Sequence, residues 1–290
     1  MVIGRFAPSP TGPLHFGSLV AAVASYCDAK SQGGQWLLRI EDVDTTRRVE
    51  GASEDIIRTL QRYGFEWDGE IVYQSQRSEY YEQALTRLRN LGLAYPCTCS
   101  RKEIADSSTQ QGIEGVIYPG TCLHHPIKPN TPIAWRLKTP AKRISFEDRI
   151  VGWQQHNIGQ DIGDFVIKRA DGLFSYQLAV VVDDAMQGIT HVVRGADLLQ
   201  STTRQIYLQQ CLGYAPLLYT HIPLVLNNQG QKLSKQTLAA SIADMSPAET
   251  IYQALCFLQQ SPPDTIKNAT LNTVWHWAIS NWKINRLARV

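Results

Sequence analysis

Short, mainly apolar runs alternate along this chain with stretches whose apolar residues recur at helical spacing. Val2–Phe6 reads as a first strand and Trp36-Leu37-Leu38-Arg39-Ile40 as a second, buried one, with Gly33-Gly34 as the break before it. Between them, Ser18–Lys30 is rich in good helix formers and holds neither proline nor glycine, which predicts a buried helix. Ile56, Ile57, Leu60 and Tyr63 recur as core positions in a predicted amphipathic helix at Gly51–Tyr63. A second such helix is expected at Ser78–Leu91, after Ile71-Val72-Tyr73. Thr190–Gly195 and Leu217–Leu226 carry strand texture, and Asp197–Gly213 carries helical texture. Ala248–Gln259 and Leu271–Val290 add two or three short helices.

The apolar pattern is interrupted by chemistry in four places. Arg5-Phe6-Ala7-Pro8-Ser9-Pro10-Thr11-Gly12-Pro13-Leu14-His15-Phe16-Gly17-Ser18 opens with prolines that keep it out of helix and paired strand. It is therefore a rigid loop feeding a helix N-terminus, where free N–H groups and a partial positive charge suit a phosphate. Gly17 lets a ligand lie against the backbone, and His15 stands where an imidazole can donate to a phosphate oxygen. Glu41-Asp42-Val43-Asp44 leaves the C-terminal end of the second strand, where ligands collect in open parallel sheets. Glu41, first out, faces the same crevice as the loop. Asp42 and Asp44 fit a solvated, helix-capping turn as readily as a ligand set.

Cys97-Thr98-Cys99 opens a polar stretch from Ser100 to Pro140 that also holds Tyr118-Pro119-Gly120-Thr121-Cys122. So long a polar segment needs something other than a core to hold it, and three cysteines are three soft ligands for a tetrahedral metal. Tyr118, His124 and His125 are the candidates for the fourth, histidine being the commoner ligand in general. The alternative is three reduced thiols without metal. The last feature is Gln229-Gly230-Gln231-Lys232-Leu233-Ser234-Lys235-Gln236, two lysines flanking a serine after a glycine turn. Such lysines are ordinarily solvated, but on a mobile loop they can meet negative charge as it builds on a departing group.

Composition narrows the class without choosing a function. A chain of 290 residues with 43% hydrophobic and 19% charged residues buries a real core and is not disordered. A net charge of +2 neither demands nor excludes a nucleic-acid partner. The six cysteines do not form a disulfide-scaffold pattern, and no segment is long enough to cross a membrane. With no basic-plus-apolar leader at the N-terminus, the expectation is a cytoplasmic protein with no membrane partner.

Taken together, the Arg5–Ser18 stretch resembles the first signature of class I aminoacyl-tRNA synthetases in the form used by the glutamyl branch, and Lys232-Leu233-Ser234-Lys235 resembles their second. The resemblance runs from Arg5 to about Lys235. It implies an α/β fold with a Rossmann-like, doubly wound parallel sheet split between residues 1–95 and 165–225. It further implies an inserted zinc and acceptor-type subdomain at 96–164, including the strand-like runs Ile133–Lys138 and Ile144–Asp148. Gly163–Arg169 then leads back to the core, with Asp171-Gly172 as a hairpin turn. Residues 226–290 supply the signature loop and short helices in place of an anticodon-binding region.

For the site, the resemblance implies that Arg5, Tyr176 and Arg194 surround the side-chain carboxylate of glutamate. Ala7 and Ser9 lie near its backbone, and Glu41 accepts from its α-ammonium. His15, Gly17, Ser18, Lys232 and Lys235 serve ATP, which arrives with Mg²⁺. Cys-x-Cys followed by Tyr-x-x-x-Cys is similar to the zinc site of the family's short branch, where a tyrosine completes the tetrahedron, so Tyr118 is chosen over the histidines. Val43 and Gln236 stand where the family usually has Thr and often has Arg. The activity implied is formation of glutamyl-adenylate by a monomer. Glutamate then passes to queuosine in the anticodon stem-loop of tRNA(Asp). The alternatives are charging of the terminal adenosine of tRNA(Glu), or an inactive relative kept for RNA binding or regulation.

Overall fold

The computed structural model describes residues 1–226 and 241–287. β1 (Ile3–Phe6) and β2 (Gln35–Ile40) are parallel, with Arg5 opposite Leu37, and α1 (Phe16–Lys30) makes the crossover between them. α1 starts two residues before the expected Ser18, because the His15 side chain caps it: Nδ1 accepts from the Ser18 N–H at 3.2 Å. Leu19, Val20, Val23 and Cys27 are fully enclosed, so α1 is a central core helix. At its far end a Cβ on Gly34 would lie 2.5 Å from the Val2 carbonyl oxygen, which is why β2 can begin so close to β1.

α2 (Ala52–Arg62) leads on to β3 (Val72–Tyr73), which adds to β2 in parallel, and to α3 (Ser78–Asn90). The chain then enters a smaller body. β4 (Ala94–Cys97) precedes α4 (Arg101–Ser107), whose capping box pairs Ser100 with Glu103. A hairpin of β5 (Gln111–Gly112) and β6 (Gly115–Val116) and the single turn α5 (Thr121–His124) follow. β7 (Ala134–Leu137) pairs antiparallel with β4. A small cluster of Tyr95, Cys97 and Tyr118, flanked by Cys99, Ile104 and Cys122, is the apolar content of this polar stretch.

β8 (Arg143–Asp148) and β9 (Gly152–Asn157) form a hairpin, and β10 (Phe165–Lys168) returns antiparallel to β7. The Asp171-Gly172 turn closes as expected, with the Arg169 N–H donating to the Leu173 carbonyl at 2.7 Å. α6 (Tyr176–Met186), β11 (His191–Gly195), α7 (Leu199–Leu212) and β12 (Leu218–Ile222) complete the second half of the core. β12 is parallel to β11 and to β8, so the β8–β9 hairpin of the inserted segment extends the core sheet. α8 (Pro247–Phe257) packs on α1. α9 (Leu271–Asn281) reaches α1 through Trp275, whose ring lies against Tyr26 and whose indole N–H donates to the Tyr63 carbonyl.

One expectation needs correction. The doubly wound parallel sheet is a mixed one: β9 adds antiparallel to β8 at the edge of the β11–β12–β8 strands, since a short turn such as Arg149–Val151 can only reverse the chain, while β10–β7–β4 forms a separate antiparallel sheet. The short helices expected after residue 248 are α8, α9 and, beyond an extended Trp282, a short 3₁₀ turn at Ile284–Arg286.

Candidate active site

β1 is flanked by β2 on one side. On the other, the segment entering β11 donates from the Thr190 N–H to the Ile3 carbonyl at 2.9 Å. The connections therefore leave β1 in opposite directions, and a crevice opens beyond the C-terminal ends of these strands. A cavity of about 520 Å³ occupies it, lined by the 5–11 loop, Glu41, Asp44, Gln74, Tyr176, Arg194 and Asp197, among others. All six residues expected to surround glutamate line this one cavity: Arg5, Ala7, Ser9, Glu41, Tyr176 and Arg194.

The loop is pinned by its own backbone. Pro8 and Pro10 carbonyls accept from the Glu41 and Val49 N–H groups at 2.9 Å, and Gly12 has φ +138°, which disfavours any side chain there. His15, Gly17 and Ser18 form the adjoining N-terminus of α1 and do not line the cavity. Lys232 and Lys235 lie outside the described residues.

Beneath the cavity is a buried charge network that the sequence reading did not anticipate. Arg5 donates to both carboxylate oxygens of Asp184 at 3.2 and 3.4 Å. Arg39 donates to the same Asp184 at 2.8 Å, to Glu41 at 3.2 Å and to Gln187 at 2.7 Å. Asp183, one residue away, accepts from Arg77 at 2.6 Å and from Tyr81 and Gln74 at 2.8 Å. Three guanidiniums thus face three carboxylates, Glu41, Asp183 and Asp184, which is what burial of such groups demands. Burial pushes the Glu41 carboxyl up, although Arg39 and Arg5 oppose it; the Asp184 carboxyl is held down by the same two arginines against its burial. The side-chain Oε1 of Gln74, a residue that lines the cavity, has no hydrogen-bond partner among the described residues.

Arg194 is fixed separately. Its Nε donates to His221 Nε2 at 3.0 Å and its Nη2 to Thr202 Oγ1 at 2.8 Å, with the Leu198 carbonyl at 3.4 Å; Nη1 reaches the Tyr176 hydroxyl at 3.5 Å. Asp42 is buried rather than solvated and accepts from the Ser75 N–H and hydroxyl, while Asp44, which lines the cavity, accepts from Thr46, Arg47 and Arg169. Its bond from Thr46 and its arginine partners bring Asp44 down to about 2, against its partial burial.

The second centre is in the small body. The sulfurs of Cys97, Cys99 and Cys122 lie within 4.8 Å of one another, and the Tyr118 hydroxyl is 3.4 Å from both Cys97 and Cys99. Ligands about 2.3 Å from a tetrahedral zinc sit roughly 3.8 Å apart, so the four groups fit such an ion. No histidine joins the cluster among the described residues. Burial raises the Cys122 thiol, but bonds from the Tyr118 hydroxyl and the Thr98 N–H outweigh it and bring it to about 6, whereas burial pushes the Cys99 thiol up to about 11 and raises the Tyr118 hydroxyl.

Asp183 and Asp184 had a legible signal, two carboxylates in the apolar run Leu178–Ala185, as did Arg39 inside a buried strand. His221 and Asp148 offered only a polar residue at an inward strand position.

The profile for tRNA synthetases class I (E and Q), catalytic domain, matches residues 1–259. The chain is 55% identical to the glutamyl-Q tRNA(Asp) synthetase of Dechloromonas aromatica over 99% of its own length and 95% of that protein's. It is 49% identical to the enzyme of the same name from Neisseria meningitidis serogroup C, over 100% and 98%. A crystal structure of a glutamate tRNA ligase from Elizabethkingia meningosepticum, in complex with its amino acid, superposes with a TM-score of 0.82 at 26% identity. That match covers all of this chain and 66% of the ligase.

Proposed function

Given that the chain belongs to the class I tRNA synthetases (E and Q), we propose that it activates L-glutamate with ATP and transfers the glutamyl group to the queuosine of tRNA(Asp). The observation that carries the first half is the convergence of Arg5, Glu41, Tyr176 and Arg194 on one cavity beside the N-terminus of α1. The second half is supported by the near-complete overlap with relatives named for that transfer.

The side-chain carboxylate of glutamate lies against Arg194, Tyr176 and Arg5, and Glu41 accepts from the α-ammonium. Glutamine brings no charge to this end and is disfavoured. The α-carboxylate is already ionised, so its in-line attack on the α-phosphorus requires no general base. Pyrophosphate leaves, and the adenylate holds the activated acyl group for the RNA hydroxyl. His15 Nδ1 accepts from the Ser18 N–H, which puts the proton of a neutral ring on Nε2, a donor for a phosphate oxygen. Lys232 and Lys235 meet the charge of the triphosphate, with Mg²⁺ carried in by ATP. Cys97, Cys99, Tyr118 and Cys122 hold one structural zinc.

The test is transfer of labelled glutamate to tRNA pools from wild-type and queuosine-deficient cells. Label should enter only the queuosine-containing pool. Equal labelling of both pools would instead indicate charging of a terminal adenosine. No labelling, and no glutamate-dependent pyrophosphate exchange, would indicate an inactive relative.

A further inference from the structure

Arg194 hangs from a chain of hydrogen bonds that crosses three adjacent strands. Arg194 on β11 stands opposite His221 on β12, and β12 pairs through Tyr219 with Asp148 on β8. His221 and Asp148 are completely enclosed, and Arg194 is 5% exposed. Arginine has donors only, so His221 Nε2, 3.0 Å from Arg194 Nε, must be the acceptor. The ring proton therefore sits on Nδ1 and is donated to Asp148 Oδ2 at 2.7 Å.

Asp148 is itself immobilised. Its carboxylate accepts from the backbone N–H groups of Ile150 and Val151 at 3.0 Å and of His221 at 3.1 Å. From the other side, Thr202 on α7 accepts from Nη2, and its hydroxyl lies 3.2 Å from both the Leu198 carbonyl and His221 Nε2. Burial depresses His221, which keeps the ring in the neutral form this chain requires. With Nε and Nη2 committed, Nη1 is left beside the Tyr176 hydroxyl at the cavity wall.

We propose that Asp148, His221 and Thr202 are positioning residues for amino-acid recognition: they fix the tautomer and the rotamer that aim Arg194 at the distal carboxylate of the substrate. This rests on the reading of Arg194 as the partner of that carboxylate. A guanidinium on a flexible stem loses affinity unless its geometry is set in advance, and three neutral acceptors set it without cancelling its charge. It also ties glutamate binding to β8, a strand contributed by the inserted segment.

The test is glutamate-dependent pyrophosphate exchange by the full-length enzyme, with KM measured separately for glutamate and ATP. His221→Phe should raise KM for glutamate at least tenfold and leave KM for ATP within twofold. His221→Gln, whose amide oxygen can accept from Arg194, should recover most of that loss. Thr202→Val, nearly isosteric, should raise KM for glutamate severalfold. An unchanged KM for glutamate in the Phe and Val variants, or a fall in kcat alone, overturns the proposal. Should His221→Phe fail to fold, the Thr202→Val result decides by the same criterion. Arg194→Ala is the control: if it keeps the wild-type KM for glutamate, the underlying reading of Arg194 fails. If it loses glutamate while the other variants do not, only the positioning role fails.

Discussion

In its proposed role Glu41 must be ionised to hold the substrate ammonium, yet burial pushes its carboxyl above the usual range. A folded-state pKa above the unfolded one favours the protonated form of the native protein. The associated stability is full below about pH 4.3 and is lost as pH rises through the folded value. At neutral pH the ionised side chain is therefore a cost to the empty enzyme, offset in part by Arg39. Glu41→Gln removes that cost and keeps an oxygen for the Arg39 bond at 3.2 Å. The variant should be at least as stable as wild type by urea unfolding at pH 7. The difference should close as pH falls towards 4, while glutamate-dependent exchange drops tenfold or more. A variant clearly less stable at pH 7 would show that Arg39 needs the charge.

At the scale of elements, α6 does the most to define the site, although its sequence signals packing. Leu178–Val182 are buried like any core helix, but Asp183 and Asp184 bind groups on four other elements or turns: Arg5 on β1, Arg39 on β2, Gln74 and Arg77 beside β3, and Tyr81 on α3. Asp183→Leu leaves the Arg77 guanidinium, the Tyr81 hydroxyl and the Gln74 amide without their acceptor. Breaking a buried charge pair in this way costs about 3–5 kcal/mol, which the free energy of urea unfolding would register. A loss below about 1 kcal/mol would mean that water replaces the carboxylate.

This network marks the limit of what the sequence discloses. The loop, the strand before Glu41 and the cysteine spacing are local patterns, and local backbone chemistry makes them readable. The partnership of Arg5 with Asp184 spans 179 residues and that of Arg194 with His221 spans 27, and no periodicity encodes either. The extension of the core sheet by the inserted segment is illegible for a similar reason: pairing of β8 with β12 is a choice made between distant segments.

Across the whole molecule, the catalytic core and the small body are held together by different means. The core has two large apolar clusters, one around α1 and one around α6; the inserted segment adds Leu137, Ile144, Ile158 and Ile162 to the second, whereas its cysteine-bearing end has the small cluster of Tyr95, Cys97 and Tyr118. On the zinc proposal, the cysteine-bearing end of that body draws its order from the metal, since a structural zinc supplies folding free energy outright. The cavity residues belong to β1, α1, β11, α6, the loops after β1, β2 and β11, and the turn after β3, none of which carries a cysteine of the metal cluster. Removing zinc should therefore separate the two halves of the reaction. Freshly purified protein should contain about one zinc per chain by elemental analysis, as four ligands of one tetrahedral site require. Chelation should abolish transfer to RNA and loosen residues 96–125 by hydrogen exchange, with glutamate-dependent pyrophosphate exchange within about twofold, since additive, distant sites leave each other little changed. Loss of both activities together would place the metal in the support of β8, and through Asp148 and His221 in the aiming of Arg194 itself.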